Sequence, residues 1–158
     1  MTFELNPVIR ESAIQINADV SYVFPLFEPL NEKLWVDNRD SQVVYPPGGE
    51  AVEDMVFITK PRFDGESDDK WILTRLDRRE HRVHYTFTTS ARIWFVKVYC
   101  IAEASTTKAT IRYQYIGLTV EGQSRNLQVI QQIFKDDLRD WERALNNYAR
   151  SSGWDEAD

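Results

Sequence analysis

One cysteine, two histidines and no apolar run of membrane-spanning length set the outer limits of this 158-residue chain. Cys100 has no possible intramolecular disulfide partner and no CxxC neighbour, so within the apolar run 96–102 it reads as a buried, unreactive thiol. Histidine is the commonest general acid–base at neutral pH. Here His81 falls in the charged turn 78–82 and His84 has the strand parity opposite to Tyr85, so both read as surface residues. No GxGxxG, P-loop, HExxH or GxSxG pattern occurs, and no stretch approaches the roughly 18 apolar residues of a membrane span. The opening residues MTFELNPVIRES lack the basic segment and apolar core of a secretion signal, so a cytoplasmic protein without membrane insertion is expected. With 19 basic against 25 acidic residues the net charge is -6, which opposes nucleic-acid binding.

What remains is a globular composition, 42% hydrophobic and 28% charged, with a rich 13% of aromatic residues. The length fits one domain over 1–158, with a core at about 8–150 and an acidic tail at 153–158. Residues Val8 to Ile16 alternate with period two, a half-buried strand expected to turn Ser12, Ile14 and Ile16 inward. Asn17 or Asp19 can then cap a helical segment, Val20 to Phe27, that Pro25 should kink or shorten. A second helical turn is expected over Asn31 to Val36, with Leu34 and Trp35 buried. Beyond Ser41 the chain reads as strands separated by short turns, which force antiparallel neighbours and a meander. The final segment carries Leu127, Ile130, Phe134, Leu138, Trp141, Leu145 and Tyr148 at spacings of 3, 4, 4, 3, 4 and 3, predicting one long amphipathic helix of about 40 Å.

This order, strand, two short helices, about six to seven antiparallel strands in a curved sheet, then a long helix, resembles the α+β helix-grip fold of the START-like, or SRPBCC, superfamily. The phrases Val23-Phe24-Pro25-Leu26-Phe27, Glu32-Lys33-Leu34-Trp35, Tyr45-Pro46-Pro47-Gly48-Gly49-Glu50-Ala51 and Trp141-Glu142-Arg143-Ala144-Leu145 resemble its polyketide cyclase/dehydrase-like branch. The resemblance implies a cavity between sheet and C-terminal helix, used in relatives for lipids, polyketides or hormones. Some relatives catalyse cyclisation or dehydration there, and a separate branch activates a chaperone through protein contacts.

Strand parity selects the cavity wall independently. Met55 and Phe57, Val83, Tyr85 and Phe87, Trp94, Val96, Val98 and Cys100, and Ile111, Tyr113 and Tyr115 should point inward. The strand Trp71 to Leu76 fits two registers, one burying Ile72, Thr74 and Leu76 and the other Trp71 and Leu73. Candidate ligand contacts are therefore Trp35, Phe57, Tyr85, Phe87, Trp94, Tyr113, Tyr115, Phe134, Leu138 and Trp141; tyrosines pair an apolar ring with an orienting hydroxyl, and each could equally be core filling. Trp35 and Phe63 could form a lid. Glu53 and Arg92 are the charged residues whose strand parity allows an inward aim. The turn Asp64, Glu66, Asp68 lacks the glycine and terminal glutamate of a calcium loop, so no metal and no cofactor are expected. Phe95, Tyr99 and Ile101, with Ile93, Ile116 and Leu118, lie on the opposite face; either they form an outer apolar patch suited to a homodimer, or the parity is inverted and they line the cavity. The expected partner is a small hydrophobic molecule, with an enzyme or a protein-binding module as alternatives.

Overall fold

A computed structural model of the chain describes residues 7–35 and 41–153, leaving Val36 and the tail 154–158 outside the described residues. Seven strands follow one another as β1 (Val8–Ile16), β2 (Ser41–Tyr45), β3 (Val56–Thr59), β4 (Asp69–Asp77), β5 (Arg82–Thr88), β6 (Arg92–Glu103) and β7 (Thr106–Gly117). They form one antiparallel sheet in the order β1-β7-β6-β5-β4-β3-β2. The meander expected from the short turns is thus present, and β1 closes onto the last strand, with Val8 opposite Tyr115 and Ile16 opposite Thr107.

The inward faces follow the alternation. Ile14, Ile16, Met55, Val83, Phe87, Trp94 and Ile111 are each 2% exposed or less, whereas Ile101 on the opposite face is 50% exposed. Strand β4 uses both registers that its sequence allowed. Trp71 pairs with Phe87 and Leu73 with Tyr85, and then the register shifts so that Leu76 faces Val83. A β-bulge at Thr74 therefore turns Trp71 and Leu73 inward before it and Leu76 after it.

Asp19 caps the first helix, α1 (Val20–Val23), by accepting from the Ser21 backbone N–H at 3.2 Å. Pro25 falls in the first turn of a tighter 3-10 segment, Phe24–Phe27, where its missing N–H costs nothing. A second 3-10 turn spans Glu32–Leu34. Its three-residue period corrects one expectation: Leu34 points to solvent at 45% exposure, while Trp35 turns into the core and donates its indole N–H to the Leu26 carbonyl at 2.9 Å.

The C-terminal helical region is not one rod. It divides into α2 (Val120–Ile133) and α3 (Arg139–Ser151). Asp137 and Leu138 have φ of 55° and 64°, left-handed values that end the α-helical hydrogen bonding between them. The apolar stripe survives this break, since Ile130, Phe134, Leu138 and Leu145 remain 4% exposed or less; Leu127, at 41%, drops out of it. Ser12 is half-buried and donates to the Asp137 carbonyl at 3.0 Å, fixing the linker to β1. Further along, the Gln15 N–H donates to Glu142 Oε2 at 2.7 Å and Asn146 Nδ2 donates to the Gln15 carbonyl at 3.1 Å, which seats α3 along the same strand. Helix α2 begins where Gly122 passes the Ala91 carbonyl oxygen so closely that no Cβ fits. No helix among the described residues is long and apolar enough to cross a membrane.

Candidate functional site

The concave face of the sheet, the 3-10 turns and the α2–α3 junction form a partly open cavity of about 290 Å³. Its sheet wall is Phe57, Thr59, Trp71, Tyr85, Trp94, Val96 and Tyr113; Pro29, Leu30 and Glu32 close one side, Ile133 and Trp141 another, with Ser41 and Arg62 at the β2–β3 end. The volume lies at the lower edge of small-molecule sites, about 300–1,000 Å³.

The wall is an interlocked aromatic assembly. Phe57 and Trp71 stack with their planes 1° apart, and Trp71 in turn meets Tyr85, Phe87 and Trp94 edge-on at 4.8–6.4 Å between centroids. Trp94 is held at its far end by its indole N–H, which donates to Asn126 Oδ1 of α2 at 2.7 Å. Tyr113 meets Phe134 and Trp141 edge-on, and Trp35 braces Trp141 from behind at 5.6 Å.

Of the ten residues singled out from the sequence, Phe57, Tyr85, Trp94, Tyr113 and Trp141 border the cavity. Trp35, Phe87, Tyr115, Phe134 and Leu138 are buried behind that wall and support it. Phe63 is no lid: it packs between the guanidinium groups of Arg92 and Arg125 at 5.0 and 5.1 Å. Glu53 is exposed and accepts from the Leu76 N–H at 3.1 Å. Arg92 does point inward and is fully buried, but Glu66 neutralises it beside the cavity. On the convex face Phe95 and Tyr99 are half-buried, with Arg82 over the Tyr99 ring at 5.7 Å.

Four polar residues in the wall were not singled out from the sequence: Glu32, Ser41, Thr59 and Arg62. Glu32 comes from a 3-10 turn, where no alternation marks inside from outside. Glu32 is half-buried beside the cavity, and desolvation there raises its pKa above 4.5. Burial, and then the Glu32 charge, raise the Tyr85 hydroxyl well above 10. Tyr113 is raised in the same direction by burial, Tyr115 and Glu32, against the opposing charge of Arg62. Both phenols are therefore hydrogen-bond donors throughout the physiological range. Their hydrogen-bonding states differ, however. The Tyr85 hydroxyl donates to the Phe27 carbonyl at 2.5 Å, whereas among the described residues nothing engages the Tyr113 hydroxyl or the Glu32 carboxyl. Arg62 lies over the Trp94 ring at 5.7 Å, so positive charge reaches the same space. Cys100 is raised to about 12 by burial, matching an inert thiol.

Among solved structures the chain is similar to the Zhui aromatase/cyclase from Streptomyces sp. R1128, with a TM-score of 0.66 at 10% identity over 92% of this chain and 94% of that one. It is also similar to norcoclaurine synthase from Thalictrum flavum, TM-score 0.62 at 6% identity over 90% and 86% of the two chains. Ara h 8.0201 gives a TM-score of 0.61 at 18% identity over 92% and 99%. No protein-family model and no curated protein matches the sequence. The chain has a helix-grip fold, a curved antiparallel sheet set against C-terminal helices, which it shares with these structures.

Proposed function

We propose that the protein binds a compact hydrophobic or aromatic molecule in this cavity, in the manner of the polyketide cyclase/dehydrase-like branch. The observation that carries the reading is the cavity of about 290 Å³ walled by Phe57, Trp71, Tyr85, Trp94, Tyr113 and Trp141. Such a wall supplies affinity by apolar burial at about 25 cal/mol per Å², while a few polar groups orient the ligand. The size favours two or three fused rings over a long acyl chain, which narrows the lipid-or-polyketide expectation to its compact aromatic part. Native mass spectrometry of protein purified from its own source should reveal a co-bound small molecule. A ligand-free protein whose melting temperature no member of an aromatic and polyketide panel raises would sink this reading.

A second reading, an enzyme of the cyclase or dehydratase type, is favoured by one observation: a carboxyl, Glu32, with an elevated pKa shares the cavity with tyrosine hydroxyls. Pairing of two copies through Phe95, Tyr99 and Ile101 is part of the same proposal, and sedimentation of wild type against Ile101→Glu tests it.

A further inference from the structure

Glu32 and Tyr113 are uncommitted. Most polar side chains around the cavity have a protein partner: Tyr85 holds the Phe27 carbonyl, Trp71 donates to Thr59 Oγ1 at 3.2 Å, and Trp94 holds Asn126. The Glu32 carboxyl and the Tyr113 hydroxyl have none among the described residues, and both border the cavity. With no protein group holding them, the carboxyl and the phenol are available to whatever occupies the cavity, one as an acid–base group and the other as a hydrogen-bond donor.

We propose that Glu32 and Tyr113 form a proton-transfer pair acting on an aromatic ketone with hydrogen on the carbon next to its carbonyl. The inference rests on the ligand-binding reading of the cavity and adds a reaction class to it. In the forward step the Glu32 carboxylate takes the proton from that carbon: the C–H bond breaks, an O–H bond forms on Glu32, and the electron pair becomes the C=C bond of an enolate. The Tyr113 hydroxyl donates to the carbonyl oxygen as it gains negative charge, and the Arg62 guanidinium, in the same wall, favours that charge. The Glu32 carboxylic acid then returns the proton to the same carbon or to a conjugated one. The result is exchange or tautomerisation, with atoms and electrons balanced and no oxidant or second substrate. Desolvation strengthens Glu32 as a base.

The test uses the full chain with 2-tetralone as probe, a two-ring ketone with exchangeable α-hydrogens, and 2-methoxynaphthalene as a comparison that has no carbonyl. Binding is read from quenching of the indole fluorescence, and chemistry from loss of the α-proton NMR signals in heavy water. Wild type should bind both compounds and accelerate α-exchange of 2-tetralone by about 10²-fold or more over buffer containing an equal concentration of acetate. Glu32→Gln should remove that acceleration while keeping the dissociation constant within about threefold. Tyr113→Phe should lower the rate by about 10-fold or more, with 2-methoxynaphthalene binding unchanged. Binding without acceleration, or exchange that survives Glu32→Gln, overturns the proton-transfer inference and leaves the binding reading standing. Failure of both compounds to quench also overturns the proton-transfer inference, while the binding reading is decided by the ligand panel described above.

Discussion

Glu66 accepts hydrogen bonds from Arg92 Nε at 3.0 Å and Arg92 Nη2 at 3.2 Å, between side chains 2% and 0% exposed. Arg125 of α2 adds a third contact at 3.2 Å. One carboxylate therefore joins the loop before β4, the first residue of β6 and the C-terminal helices, closing the end of the fold beside the cavity. Removing one partner leaves a buried charge without compensation, which typically costs about 3–5 kcal/mol. Arg92→Met should lower the urea-unfolding free energy by up to that amount, moderated by the Arg125 contact that Glu66 keeps, and Glu66→Gln by less, because the amide oxygen can still accept from a guanidinium.

The same pair sets a pH dependence. Burial works most strongly against ionisation of Glu66, but the hydrogen bonds and charges of Arg92, then Arg125, together outweigh it and hold the carboxyl below 4.5. Its stabilisation is then fully present above the unfolded value and is lost as pH falls through the lower folded value. Acid titration of stability should show a loss beginning below about pH 4.5 that Glu66→Gln flattens.

Glu32 has the opposite sign. Because folding raises its pKa, the folded state favours the protonated form, and stability declines as pH rises from 4.5 through the folded value. Glu32→Gln should stabilise the protein at pH 7 by about 0.5–2 kcal/mol, with the gain shrinking towards zero at pH 4. Urea unfolding at the two pH values measures it; a mutant equally stabilised at both would show that ionisation of Glu32 is not the cause.

Tyr85 and Tyr113 separate structural from uncommitted hydroxyls. Tyr85→Phe removes the donor to the Phe27 carbonyl in a buried setting and should cost about 1–3 kcal/mol. Tyr113→Phe removes a hydroxyl with no partner among the described residues and should change stability by no more than about 0.5 kcal/mol. Chemical denaturation of the two variants side by side gives the comparison.

At the α2–α3 junction, Asp137 at φ 55° should tolerate glycine, which adopts that conformation freely. Asp137→Val should cost about 1–2 kcal/mol, since a β-branched residue is disfavoured there. Thermal unfolding checks both, and equal costs would mean that the left-handed turn is not retained in solution.

The strands and their inward faces were legible because period-two alternation records burial directly, as in Val83, Tyr85 and Phe87. Strand β4 was ambiguous for a physical reason: its bulge changes parity halfway, so two incompatible registers each described half of it. The helix break was hidden because neither Gly nor Pro marks 134–138, and the apolar spacing runs through the linker without interruption. Half of the proposed wall residues proved to be a supporting layer, since parity tells inside from outside but not first layer from second. Glu32 and Arg62 come from a turn and a loop, where position depends on how the segment folds back and no periodicity reports it.

The hydrogen bond from Trp94 to Asn126 ties the shape of the cavity to the sequence of α2. Replacing the indole by a smaller ring would widen the chamber but strand a fully buried amide, whose nitrogen already has no partner among the described residues. Evolution of ligand preference along this wall is therefore expected to proceed in coupled steps, with substitutions at 94 accompanied by apolar residues at 126 in divergent lineages.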